Sequence, residues 1–158
     1  TKSRLYGQYP PTFLKRAKAL FPEAQRILHC PSGLLTEDVT VDCVIERKPK
    51  IVADASHLPF AASTFDLVLA DPPYSAKDAV QYGTRPFPLQ KAMREAHRVL
   101  KIGGHFGLLH TMYPSYQKSK GWRLVALIAV VTGFSKRTRM FSIFERTLPR
   151  TDVAGAPL

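Results

Sequence analysis

Four consecutive residues, Asp71-Pro72-Pro73-Tyr74, follow directly on the apolar run Phe65-Asp66-Leu67-Val68-Leu69-Ala70. A buried strand ending in an acid, two rigid prolines and an aromatic ring is suited to gripping a planar amine. The carboxylate and the Pro72 carbonyl can both accept from one NH2 group, the prolines fix the backbone, and Tyr74 offers a face for stacking. An amine conjugated with an aromatic ring is a poor nucleophile. Two acceptors aimed at its protons favour a pyramidal nitrogen and stabilise the positive charge that grows as an electrophilic carbon arrives. The plainer reading of the same residues is a Pro-Pro turn that ends a strand.

The elements that must position this tetrapeptide lie upstream. Ile51 to Phe60 begins as a short apolar strand, reaches Asp54 and turns at Pro59. Val39-Thr40-Val41-Asp42 is a β-branched run that also ends in a carboxylate, and Arg26 to Gly33 reads as a strand entering a glycine turn. In an open parallel sheet, ligands bind beyond the carboxyl ends of the strands, near the point where strand order reverses. The succession of Gly33, Asp42, Asp54 and Asp71 at strand ends is that of the class I S-adenosylmethionine-dependent methyltransferases, which the chain resembles from about Arg26 to Arg146. Within that superfamily, Asp71-Pro72-Pro73-Tyr74 resembles the signature of amino-methyltransferases acting on adenine N6 or cytosine N4.

The resemblance implies an α/β, Rossmann-like sheet, mostly parallel with an antiparallel edge hairpin, and S-adenosylmethionine as cofactor. It implies catalytic roles for Asp71, Pro72, Pro73 and Tyr74, with the amine held by Asp71 and the Pro72 carbonyl. It also implies that His29, Cys30, Pro31, Ser32, Gly33, Asp42, Asp54, Ala55 and Asp71 line the cofactor site, Asp42 taking the ribose hydroxyls and Asp54 the adenine amine. The first loop departs from the usual Asp-Pro-Phe-x-Gly-x-Gly pattern. His29 replaces the opening acid and Leu35 the second glycine. Backbone amides after Gly33 are expected to hold the methionine carboxylate. The expected acceptor is an exocyclic base nitrogen of nucleic acid, with DNA adenine N6 first. A non-catalytic nucleic-acid-binding subunit that keeps the fold, and a methyltransferase for a protein amide or small molecule, are the alternatives.

Length and charge bound the picture. The 158 residues divide into an N-terminal helical segment (1–25), a methyltransferase-like domain (26–146) and a tail (147–158), leaving little chain for a separate target-reading domain. With 23 Lys and Arg against 12 Asp and Glu, the net charge of +11 attracts polyanions. Basic clusters at Lys15-Arg16-Lys18, Arg47-Lys48-Lys50, Lys118-Lys120-Arg123 and Lys136-Arg137-Arg139 are expected to face solvent and phosphate, although such runs are often only solvated surface. The expected partners are nucleic acid, DNA before RNA, and a second subunit, either a homodimer mate or a specificity-providing chain.

Cys30 and Cys43 have neither disulfide-framework nor zinc-site spacing, so no metal is expected. With no cleavable signal visible and no apolar run long enough to span a bilayer, a soluble, cytoplasmic protein is expected.

Helical spacing predicts one helix over Pro11 to Leu20 and another over about Leu89 to Lys101, stopped by Gly103-Gly104. His105 to His110 follows as a strand, and Leu124 to Val131 and Met140 to Phe144 form a hairpin across a basic loop. The links from Gly33 to Val39 and from Asp42 to Ile51 are shorter than the dozen or so residues of a full crossover. Helices there should be missing or reduced to one turn, leaving sheet surface for another subunit to cover. Ser75 to Pro88 is read as a loop, within which Tyr82 to Pro88 is either a lid over the site or an ordinary mobile connection.

Overall fold

In a computed structural model that describes residues 9, 10, 12–132 and 137–149, the chain forms one seven-stranded sheet. The strands are β1 (Ile27–His29), β2 (Val39–Asp42), β3 (Ile51–Val52), β4 (Phe65–Ala70), β5 (Leu100–His110), β6 (Trp122–Thr132) and β7 (Arg137–Arg146). Their spatial order is β3-β2-β1-β4-β5-β7-β6. The first five run parallel, and β7 lies antiparallel between β5 and β6. The order reverses at β1 and β4, which opens a crevice beyond their carboxyl ends where Gly33 and Asp71 meet.

Three helices accompany the sheet: α1 (Phe13–Ala19), α2 (Ala76–Gln81) and α3 (Leu89–Val99). As the short links require, β1 passes to β2 without a helix, and β2 reaches β3 through a single 3-10 turn, Ile45–Arg47. The helix α3 buries Ala92, Met93, Ala96 and Val99 against one face of the sheet, with Val68, Phe106 and Phe144. Phe13 and Ala17 of α1 close the other face over Leu67, Leu69, Leu109 and Phe141. The amino-terminal helix thus belongs to the core of the sheet domain.

Three boundaries differ from expectation. The stop for α3 is Leu100, whose extended backbone (φ −71°, ψ 145°) enters β5 and pairs with Phe65. The strand then runs on through Gly103 and Gly104. Gly104 is needed for close approach, because a Cβ there would lie 2.9 Å from the Lys101 carbonyl and 3.0 Å from that of Asp66. Ser75 starts a helix that the loop reading missed. Its hydroxyl accepts from the Asp78 amide at 3.1 Å and donates to the Asp78 carboxylate at 2.9 Å. The terminal hairpin is longer than its apolar runs suggest, because ladder pairing carries β6 and β7 to Thr132 and Arg137. Of the basic connection, residues 133–136 lie outside the described residues, as do residues 150–158 of the tail.

On the edge strand β6, Val125, Leu127 and Val131 are exposed. Among the described residues no helix is long and apolar enough to cross a membrane.

Candidate active site

The carboxyl ends of β1 to β4 border two adjoining pockets. The first is walled by Cys30, Pro31, Asp42, Ala53, Asp54 and Ala55 on the sheet side and roofed by Thr84 to Pro88. The second lies between Ser32, Gly33, Asp71, Pro72, Pro73 and Tyr74, with Tyr9, Tyr82 and Arg139 around its rim. Pro31, Arg47 and Pro73 border both, so the two are halves of one cleft. Residues distant in sequence meet here because each parallel strand delivers its last residue to the same edge.

His29 is the expected site residue that stays outside this cleft. It is fully buried, its Nε2 lies 3.0 Å from Asp38, and its Nδ1 lies 3.3 Å from the Tyr9 hydroxyl. Burial lowers its pKa. Alternation along β1 explains the placement, since neighbouring strand residues face opposite sides and Cys30 is the one that lines the pocket. Lys18 completes the network, donating to Glu37 at 3.0 Å and to Asp38 at 2.8 Å. Lys18 therefore turns inward, contrary to its reading as part of an outward basic cluster.

Asp42 is 1 % exposed and heavily bonded. It accepts from the Gly33 amide at 3.0 Å, from the Val44 amide at 2.9 Å, and from Arg47 Nη1 at 3.1 Å on each carboxylate oxygen. Arg47 Nη2 donates to the Tyr82 carbonyl at 2.9 Å. This corrects the cluster reading of Arg47-Lys48-Lys50. Arg47 is folded back onto the cleft by the 3-10 turn and is only 10 % exposed in its side chain.

Asp54 contrasts with Asp42. One of its oxygens accepts from the Ser56 amide at 2.8 Å and hydroxyl at 2.6 Å, which holds its carboxyl below the usual range. Its other oxygen faces Arg85 at 3.8 Å.

The first loop is also more fully bonded than its sequence suggests. Gly33 makes the turn with φ 55°, a left-handed conformation that favours glycine. The amide of Ser32 donates to Val41, that of Gly33 to Asp42 and that of Leu35 to Ser32. These amides are therefore committed to the fold. The Ser32 hydroxyl, buried beside the second pocket, has no partner. A buried hydroxyl without a partner is costly, and an incoming carboxylate would satisfy it.

The tetrapeptide sits just past β4. The Tyr74 hydroxyl donates to Asp71 Oδ1 at 2.7 Å. The Tyr74 ring meets His110 edge-on at 5.0 Å between ring centres, and the Arg139 guanidinium lies over it, 5.4 Å from the centroid. The side chain expected to present a bare stacking face thus orients Asp71 and carries a cation on its ring. Burial pushes the Asp71 carboxyl up to about 6, against the lowering effects of the Tyr74 hydrogen bond and of Arg139.

Sequence reasoning missed Tyr9, Arg47, Tyr82 and Arg139 as cleft residues. Arg47 and Arg139 were visible only as members of basic clusters, and Tyr9 carried no signal beyond its aromatic ring.

The donors and walls fit an adenosyl sulfonium cofactor. An acid with one committed oxygen closes the β3 end, apolar walls line the slot, and a partnerless hydroxyl marks the loop end. Asp42 fits only if Arg47 releases it.

Comparison with known proteins gives the same assignment. The methyltransferase domain family matches residues 9–108. Among solved structures, TrmN from Thermus thermophilus superposes with a TM-score of 0.61 at 19% identity, over 91% of this chain and 51% of that one. The chain thus spans about half the length of TrmN. NodS, an N-methyltransferase from Bradyrhizobium japonicum WM9 solved with S-adenosyl-L-homocysteine, gives 0.54 at 14% identity over 90% of both chains. A chain from the complex of the Haloferax volcanii Trm112 methyltransferase activator gives 0.57 at 12% identity, over 87% of this chain and 89% of that one. No curated protein matches the sequence. With its family matched over most of its length and its sheet in the corresponding order, this chain belongs to the methyltransferase-domain family of class I fold, and S-adenosylmethionine is its cofactor.

Proposed function

We propose that this protein methylates an exocyclic amine of a nucleic-acid base, with adenine N6 of DNA as the first acceptor. The observation that carries this reading is a buried carboxylate with one oxygen engaged by Tyr74, set at the end of β4 beside the cofactor cleft. S-adenosylmethionine supplies an electrophilic methyl group on a sulfonium.

The chain's own residues supply the rest. Tyr74 fixes the Asp71 carboxylate through Oδ1, which leaves Oδ2 to accept one amine proton while the Pro72 carbonyl accepts the other. Both acceptors gain strength as positive charge develops on the nitrogen, and burial amplifies the effect. Ser32 and Asp54 hold opposite ends of the cofactor, and Asp42 holds its ribose. Arg139 flanks the acceptor pocket with positive charge. A base that stacks on the face of Tyr74 now under Arg139 requires the guanidinium to move aside.

The net charge of +11 supports a polyanionic acceptor. The exposed apolar residues of the β6 edge support a second subunit at the site of missing specificity elements.

The test is incubation with isotope-labelled S-adenosylmethionine and a mixture of single- and double-stranded DNA and RNA, with digestion and mass spectrometry of nucleosides. The reading expects N6-methyldeoxyadenosine, or another base N-methylated on its amine. Labelled protein or small molecule with unlabelled nucleic acid would overturn it.

A further inference from the structure

A carboxylate offers about four lone-pair positions. Asp42 has all of them engaged: two by the amides of Gly33 and Val44, two by Arg47. The amides are fixed by the backbone on either side of the strand ends. A ribose diol can therefore reach Asp42 only by displacing the guanidinium.

The same guanidinium holds the Tyr82 carbonyl at 2.9 Å, at the carboxyl end of α2. The other holds on the segment that follows are slight. Thr84 meets Cys43 at 3.4 Å, and Arg85, with 82 % of its side chain exposed, lies 3.8 Å from Asp54. Tyr82 also borders the pocket of Asp71 and Tyr74. One side chain thus ties an acid of the cofactor half of the cleft to a wall of the acceptor half.

We propose that Arg47 is a latch that the cofactor ribose opens: the diol takes Asp42, Arg47 swings away, and segment 82–88 is released from the cleft so that the acceptor can enter. This rests on Asp42 being the ribose acceptor. A ligand shifts such an equilibrium only through its differential contacts with the two states. Here the differential contact is the diol's bond to Asp42, available only in the open state. Cofactor should accordingly bind before acceptor, and the acceptor pocket should be widest once the cofactor half is filled.

The test uses the whole chain and two ligands, S-adenosylhomocysteine and its analogue lacking both ribose hydroxyls. Hydrogen exchange is followed at the amides of Gly83, Thr84, Arg85 and Phe87, and affinity is measured by calorimetry. Bound S-adenosylhomocysteine should speed exchange there about fivefold or more, whereas the analogue, when bound, should leave it unchanged. Arg47→Met, which keeps an apolar stem, should show fast exchange without ligand and bind S-adenosylhomocysteine at least as tightly as wild type. Slowed or unchanged exchange in the wild-type complex would overturn the latch while leaving the cofactor site intact, and this reading does not depend on the variant folding. Failure of wild type to bind S-adenosylhomocysteine at all would overturn the assignment of the cleft and the latch with it.

Discussion

Asp42 and Asp71 end neighbouring parts of one sheet and differ in almost every physical respect. Asp42 is sealed by two amides and a guanidinium, so its charge is fully compensated. Asp71 is buried with a phenol on one oxygen, and its carboxyl is pushed up to about 6. A saturated carboxylate organises the fold and becomes a ligand only when its partner departs. An under-satisfied one stores a solvation deficit that an incoming amine relieves. Position in the fold gives both residues access to the cleft, and their local partners set what each can do there.

The largest expected effect comes from removing the under-satisfied charge. Asp71→Asn should slow methyl transfer by roughly 1000-fold, the scale seen when one oriented group of a transition-state site is lost. The same variant should be more stable at pH 8, by up to about 3 kcal/mol, because the penalty of ionising a buried group disappears. Labelled-methyl transfer and thermal unfolding measure the two. A variant that loses activity and stability together would place Asp71 with Asp42 as a structural acid.

Asp42→Asn breaks a buried ion pair and leaves Arg47 uncompensated, at a cost of about 3 kcal/mol. Denaturant melts should show this, with weakened S-adenosylhomocysteine binding beside it. A neutral effect on stability would erase the contrast between the two acids.

The pH responses sharpen the comparison, because rate and stability should move in opposite directions. The folded pKa of Asp71 is raised, so the native state holds that proton more tightly than the unfolded chain. Its contribution to stability is full below the ordinary carboxylate range and is lost as pH rises through about 6. Methyl transfer needs the ionised form, so kcat/KM should rise through the same interval. A rate that stays flat from pH 5 to 8 would contradict the role of Asp71.

The smallest effect should come from Tyr74→Phe, which removes one hydrogen bond to a charged group, about 2 kcal/mol or somewhat more than tenfold in rate. Since that bond lowers the Asp71 pKa, the acid limb of the rate profile should move above 6. An unchanged limb would show that the phenol does not govern Asp71.

Much of this site was legible in the chain. Gly33, Asp42, Asp54 and Asp71 each close an apolar run, and parallel pairing of those runs brings them to one edge regardless of how short the intervening links are. The helix α2 was hidden because Ser75 and Asp78 lie in a stretch bounded by prolines and glycine, where a single capped turn or two leaves no long periodic pattern. Arg47 was misread for a different reason. A basic cluster is a property of composition, whereas the direction of each side chain is set by the local backbone, here a 3-10 turn ended by Lys48 at φ 54°. Tyr9 and His29 form their contact across 20 residues through the placement of α1, which no local pattern encodes.

The measurement that bears most directly on this contrast is a carbon-13 NMR titration of the Asp71 carboxyl in the ligand-free protein, assigned by the resonance that vanishes in Asp71→Asn. A midpoint near 6 would establish the buried, under-satisfied acid on which the proposed chemistry depends. A midpoint below 4 would show a carboxylate already compensated like Asp42, and the amine-gripping role would then have to be withdrawn.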